Sequence, residues 1–183
     1  MEVISTTFEG LKIIQPIVFT DSRGFFMESY NMNQHSQAGI YFNFLQDNHS
    51  KSVRGVIRGL HYQLEPYAQT KLIRVLQGEI LDVVVDIRKE SKTFGHYYSI
   101  SLSSENKKQL LIPKGFAHGF SVLSDTAEIL YKCDAYYAPE YERGILYNDP
   151  ELNIDWKLDL NTAIISDKDK MNPLFKDAEI NFT

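Results

Sequence analysis

Short apolar or alternating runs succeed one another along the chain, each closed by turn chemistry. The first, residues 11–19, carries Ile13, Ile14, Ile17 and Val18, and Asp21-Ser22-Arg23-Gly24 then turns the chain. Residues 25–30 predict a second strand. Residues 31–39 are the best helix candidate, with Asn at the start and Gly at the end. It is short and polar, so it belongs at the surface. In 41–48 the residues Phe42, Phe44, Gln46 and Asn48 fall on one face of a strand. Further strands are predicted at 53–63, 70–77, 80–88, 96–103, 108–112, 116–123 and 127–137, with Pro113-Lys114-Gly115 as a strong turn. Beyond Asn148 the pattern weakens into a tail holding Trp156, Asp167, Lys168, Asp169 and Pro173, expected to pack across the body as short helices. About ten short strands with few helices predict an all-β jelly roll or β-sandwich.

Composition narrows the class. The 183 residues suit one domain, 1–183, and 43% apolar with 23% charged residues is a globular balance. Nineteen Lys and Arg against 24 Asp and Glu leave a net charge of −5, which argues against non-specific binding to nucleic acid or membrane surfaces. The single cysteine, Cys133, excludes an intrachain disulfide framework and fits a reducing, cytoplasmic compartment. No run approaches the ~18 apolar residues of a membrane span, and Met1-Glu2-Val3-Ile4-Ser5 does not read as a secretory signal. Aromatic residues at 13% favour strands and concave binding sites.

Two of the five histidines sit in unusual contexts. His61 lies in Arg58-Gly59-Leu60-His61-Tyr62-Gln63, where a glycine inside a strand marks a bulge or a close approach. His118 follows the tight turn in Pro113-x-Gly115-x-x-His118. An isolated histidine is more often a satisfied core residue, and His35, His49 and His96 take that reading or simple exposure. The Pro-x-Gly-x-x-His pattern resembles the second signature of the cupins. At the place of their first signature, His-x-His is here His61-x-Gln63, and the glutamate expected a few residues later is missing. A transition ion needs several convergent N and O donors, so no metal is expected.

A closer resemblance runs in order from about residue 11 to 173. Phe19-x-Asp21-x-Arg23-Gly24-Phe25-Phe26-x-Glu28, Gln46-Asp47-Asn48-His49-Ser50, Arg58 to Gln63, and Gly78-Glu79 with Asp82-Val83-x-Val85-Asp86-Ile87-Arg88 are its first blocks. Pro113 to Phe120, Tyr131-Lys132, Tyr147-Asn148-Asp149-Pro150 and Ser166-Asp167-Lys168-Asp169 complete it. Together they resemble the dTDP-4-dehydrorhamnose 3,5-epimerases. Any one of these motifs is weak, whereas eight collinear blocks are specific.

The resemblance implies inversion at carbons 3 and 5 of a nucleotide-linked 4-keto-6-deoxyhexose, in deoxysugar supply for surface polysaccharide. Both carbons flank the ketone, so the site needs a base on one face, an acid on the other and a cation for the enolate. No cofactor is implied, and no Gly-x-Gly-x-x-Gly fingerprint occurs. Carried over from the family, His61 is the base, Asp169 orients it (Asp167 being the fallback), Lys71 stabilises the enolate and Tyr131 reprotonates. Arg23 and Arg58 match the diphosphate contacts. Arg58 and His61 would point to opposite faces of an ideal strand, unless Gly59 forms a bulge or Arg58 acts at the pocket edge. Glu28, Gln46, Asn48, His118, Glu142 and Lys168 match other substrate contacts, with Phe26 and Tyr136 as stacking surfaces for the base. In this family the region around Arg23 to Glu28 reaches the site from a second subunit, which implies a homodimer. The alternatives are a carbon-3-only epimerase or ketoisomerase of a related sugar nucleotide, a non-catalytic sugar-nucleotide-binding cupin, and a metal-dependent cupin dioxygenase, which Gln63 and the missing glutamate disfavour.

Overall fold

The structure is a computed structural model describing all 183 residues. Two antiparallel sheets face one another. The first contains β1 (Glu2–Ser5), β2 (Lys12–Gln15), β10 (Gln109–Ile112), β7 (Lys71–Gln77), β12 (Thr126–Cys133) and β5 (Gln46–Val53), in that order. The second runs β13 (Glu142–Gly144), β6 (Ile57–Gln63), β11 (Phe116–Val122), β8 (Glu79–Asp86) and β9 (Tyr97–Ser103). A separate hairpin, β3 (Val18–Asp21) and β4 (Gly24–Met27), stands apart from both. The helices are α1 (Met32–Gln37), capped by the Asn31 side chain, and α2 (Asp167–Lys170), capped by Ser166. No helix is long and apolar enough to cross a membrane.

Strand β8 shows why the sequence reads as a continuous apolar run. Its Leu81, Val83 and Val85 face the C-terminal tail, packing with Leu152, Ile154, Trp156, Phe175 and Phe182. Ile80 and Val84 face the other sheet, packing with Ile73, Val75, Leu110 and Ile129. Both faces are buried, so period-two alternation disappears.

Several predicted boundaries change. The strand expected at 11–19 is two, interrupted at Pro16-Ile17, and its halves join different sheets. The expected strand 25–30 closes at Met27, and the one at 41–48 begins only at Gln46. The expected strand 53–63 is cut by a turn at Arg54-Gly55, so that β5 ends where it was to begin. That at 127–137 stops at Cys133. Strands β1 and β13 carried no apolar signal: most β1 residues are exposed, and β13 is Glu142-Arg143-Gly144.

Candidate active site

Strand β6 changes parity at Gly59. Ile57 lies in the tail-facing core, and so do Leu60 and Tyr62. His61 pairs with His118 and Arg58 with Phe120, so Gly59 and Leu60 together oppose Gly119 alone. This is the bulge that puts Arg58 and His61 on one face. It requires glycine: φ is +124°, and a Cβ would lie 2.5 Å from Gly119 Cα and 2.8 Å from the His118 carbonyl oxygen.

The bulged strand opens into a cavity of about 520 Å³ between the sheets. Arg58, His61 and His118 line it from the second sheet, Lys71 and Tyr131 from the first, and Ser166, Lys168 and Asp169 from the tail. His61 Nε2 lies 2.6 Å from Asp169 Oδ1, while Asp169 Oδ2 accepts the Gly59 backbone N–H at 3.3 Å. The Ser166 hydroxyl accepts the Asp169 backbone N–H. Burial pushes the Asp169 carboxyl up, but the His61 ring, Gly59 and Ser166 together hold it below the usual carboxylate range. Asp167, the fallback, is exposed and pairs with Lys170.

Lys71 has no carboxylate within ion-pair distance and no hydrogen-bond partner. Burial pushes its ammonium down, partly offset by Cys133, Asp82 and Glu142. Burial also pushes the Tyr131 phenol up, reinforced by Cys133 and Glu142 and opposed by Arg58. The phenol therefore holds its proton at neutral pH. Arg58 is exposed at the rim, with Nε donating to Ser52 Oγ at 3.0 Å. Glu142 accepts from the Tyr137 hydroxyl at 2.7 Å and pairs with Lys168.

Other expected residues lie outside this cavity. Gln46 and Asn48 occupy the inner positions of β5, where Gln46 Oε1 accepts the Tyr137 backbone N–H and Asn48 Nδ2 donates to Cys133 Sγ. Tyr136 is 65% exposed. Arg23 pairs with Asp21 at the hairpin tip, Phe26 is 67% exposed, and Glu28 accepts from Asn31. Sequence reasoning missed Asp82, Ser52 and Ser166 as supports. Asp82 was signalled by a charge inside the apolar 80–87 run, and Ser166 by its N-cap position before Asp169.

The donor set does not suit a divalent ion. Gln63 spends its amide on the Tyr67 and Tyr136 carbonyls and the Ala138 N–H. No three His, Cys, Asp or Glu side chains converge on a common point.

The profile of the family described as dTDP-4-dehydrorhamnose 3,5-epimerase matches residues 5–177. The chain belongs to that family. It is 54% identical over 180 residues to the dTDP-4-dehydrorhamnose 3,5-epimerase of Shigella flexneri, covering 98% of both chains. A crystal structure of dTDP-6-deoxy-D-glucose-3,5-epimerase from Legionella pneumophila, in complex with dTDP-4-keto-L-rhamnose, superposes with a TM-score of 0.94 at 47% identity. That match covers 100% of this chain and 98% of the other. A 3'-monoepimerase of Streptomyces bikiniensis in complex with dTDP-quinovose matches at a TM-score of 0.88 and 33% identity, covering 93% of this chain and 86% of that one. The chain is thus similar to enzymes named for one inversion and to enzymes named for two.

Proposed function

We propose that the chain inverts carbons 3 and 5 of a dTDP-4-keto-6-deoxyhexose, converting dTDP-4-dehydro-6-deoxyglucose to dTDP-4-dehydrorhamnose. The observation that carries this reading is the placement of His61 and Tyr131 on facing sheets, with the unpaired Lys71 lining the same cavity. His61 removes the proton from a carbon beside the ketone, and the C–H electron pair forms the enolate, with its charge on the C4 oxygen. The Lys71 ammonium offsets that charge in a cavity wall poor in water. Tyr131 then donates its phenolic proton to the opposite face of the carbon, and the enolate collapses to the inverted ketone. Asp169 accepts from His61 Nε2 and stabilises the imidazolium, leaving Nδ1 as the base nitrogen. Once the His61 imidazolium has released its proton to solvent and the Tyr131 phenolate has regained one, the same groups repeat the cycle at the other carbon, because both enolates share one oxygen. Arg58 and Lys168 stand where a diphosphate would be held.

The same reading treats residues 1–183 as one domain working in a homodimer. Arg23, Phe26 and Glu28 lie away from their own cavity, and Phe19, Phe25 and Phe26 project from the hairpin at 55–67% exposure. A second copy gives that surface an occupant, and a monomeric mass at micromolar concentration would contradict this assembly. The reaction is tested by incubating the enzyme with dTDP-4-keto-6-deoxyglucose in deuterated water. Deuterium at both carbons 3 and 5 is expected. Label at carbon 3 alone would replace this reading with single inversion, as in the named monoepimerase.

A further inference from the structure

Hairpin β3–β4 is held by its own ladder, and no hydrogen bond joins residues 18–27 to the rest of the chain. Its register places Phe19 opposite Phe26 and Thr20 opposite Phe25. Directly opposed residues share a face and successive ones alternate, so Phe19 and Phe26 lie on one face and Phe25 on the other. The Phe25 ring meets a cation: Lys107 Nζ stands 3.9 Å from its centroid. Lys107 belongs to the turn between β9 and β10, where its ammonium also donates to the Ser104 carbonyl. The turn is braced by Asn106, whose Oδ1 accepts the backbone N–H groups of Ser103 and Lys108 and whose Nδ2 donates to the Ser101 carbonyl. Lys107 adopts φ +56°, in the left-handed region where glycine or asparagine is less strained. A strained lysine in a turn that glycine would suit points to a use for its side chain.

We propose that Lys107 is a positioning residue that docks the hairpin on its own chain through Phe25, so that the opposite face, with Phe19 and Phe26, is turned toward a second copy. The proposal rests on the homodimeric reading above. Phe19 and Phe26 are the more exposed pair, and Arg23 at the tip is free of the body. A two-stranded hairpin is marginal by itself, and one with no ladder to either sheet has nothing else in its backbone to set its direction. A cation on one face selects which side the second copy meets. Undocked hairpins reduce the fraction of molecules ready to bind, and apparent affinity falls with that fraction. The reading gives Arg23 and Phe26 contacts to the nucleotide, remote from the reacting carbons. Their misplacement therefore weakens ground state and transition state alike, raising KM and sparing kcat.

The test pairs kinetics on dTDP-4-keto-6-deoxyglucose with amide hydrogen exchange in the hairpin. Lys107→Met and Lys107→Gly should each raise KM about twofold to fivefold, the worth of one exposed cation–π contact, with kcat near wild type. Lys107→Gly also relieves the left-handed backbone, so its urea midpoint should equal or exceed that of the wild type. A role in the turn alone would leave KM unmoved. Lys107→Arg should keep wild-type KM, and in a Phe25→Leu background Lys107→Met should raise KM no further. Wild-type KM in Lys107→Met and Lys107→Gly would overturn the proposal. So would a loss confined to kcat, or an undiminished effect in the Phe25→Leu background. Amides of residues 24–27 should exchange faster in Lys107→Met than in the wild type, and unchanged exchange would also overturn it. If the wild type turned over no 4-keto sugar, or ran as a monomer, the reading beneath the proposal would fall, while exchange would still decide whether Lys107 docks the hairpin.

Discussion

His61 and His118 are cross-strand neighbours, each bound through Nε2 to a carboxylate, yet the two pairs are built differently. The His61 side chain is 31% exposed, and its carboxylate arrives from the tail, 108 residues on, steadied by Gly59 and Ser166. The His118 side chain is 10% exposed, and its carboxylate sits 36 residues away on the neighbouring strand β8 with no other hydrogen-bond partner. A group that exchanges protons with water on every cycle needs access and a stabilised charged form. The same residue pair is therefore built in two ways, and exposure and supporting bonds separate them.

The comparison breaks first at His61. His61→Ala should cut turnover by ~10²–10⁴, the usual worth of a general base, and abolish solvent exchange at both carbons. Near-normal exchange at either carbon, measured by NMR in deuterated water, would hand the base role to His118 or another group. Gly59→Ala attacks the shared backbone. Its Cβ would meet Gly119 and the His118 carbonyl at a positive φ, so a loss of about 3 kcal/mol is expected in urea unfolding. A loss below about 0.5 kcal/mol would show that the bulge is not fixed by sterics.

Asp169→Asn sharpens the contrast. It removes a charge-assisted bond worth about 1.5–3 kcal/mol, so kcat should fall about tenfold to a hundredfold while KM stays near wild type. It also has a pH signature. The Asp169 carboxyl is held below its ordinary range, so its contribution to stability is complete above about pH 4 and is lost as pH falls through the folded-state value. The wild type should therefore unfold at higher urea than Asp169→Asn at pH 7, and the gap should close in acid. A gap independent of pH would mean that the carboxylate's charge is not what stabilises the pair.

Strands with apolar inner faces were legible in the sequence: β7, β8, β10, β11 and β12 lie where the pattern put them, within a few residues. Strand β5 was misplaced because its inner face is Gln46, Asn48, Ser50 and Ser52. All four are polar and Ser50 lines the cavity, so the hydrophobic alternation fails where the site begins. His61, Tyr131 and Asp169 lie in motif blocks and Lys71 was carried over from the resemblance; the four line one cavity, and the glycine inside β6 announced the bulge that joins Arg58 to them. The His118–Asp82 partnership was not legible. Pairing between β11 and β8 depends on sheet register, which no local pattern encodes.

The central claim, a base and an acid on facing sheets, is tested most directly with Tyr131→Phe. The substitution removes one oxygen and keeps the ring, so substrate binding should change little. His61 should still remove ring protons and return them to the face they left. In deuterated water the variant should label carbons 3 and 5 while forming much less doubly inverted product than the wild type. Inversion of both carbons at the wild-type rate would contradict the account.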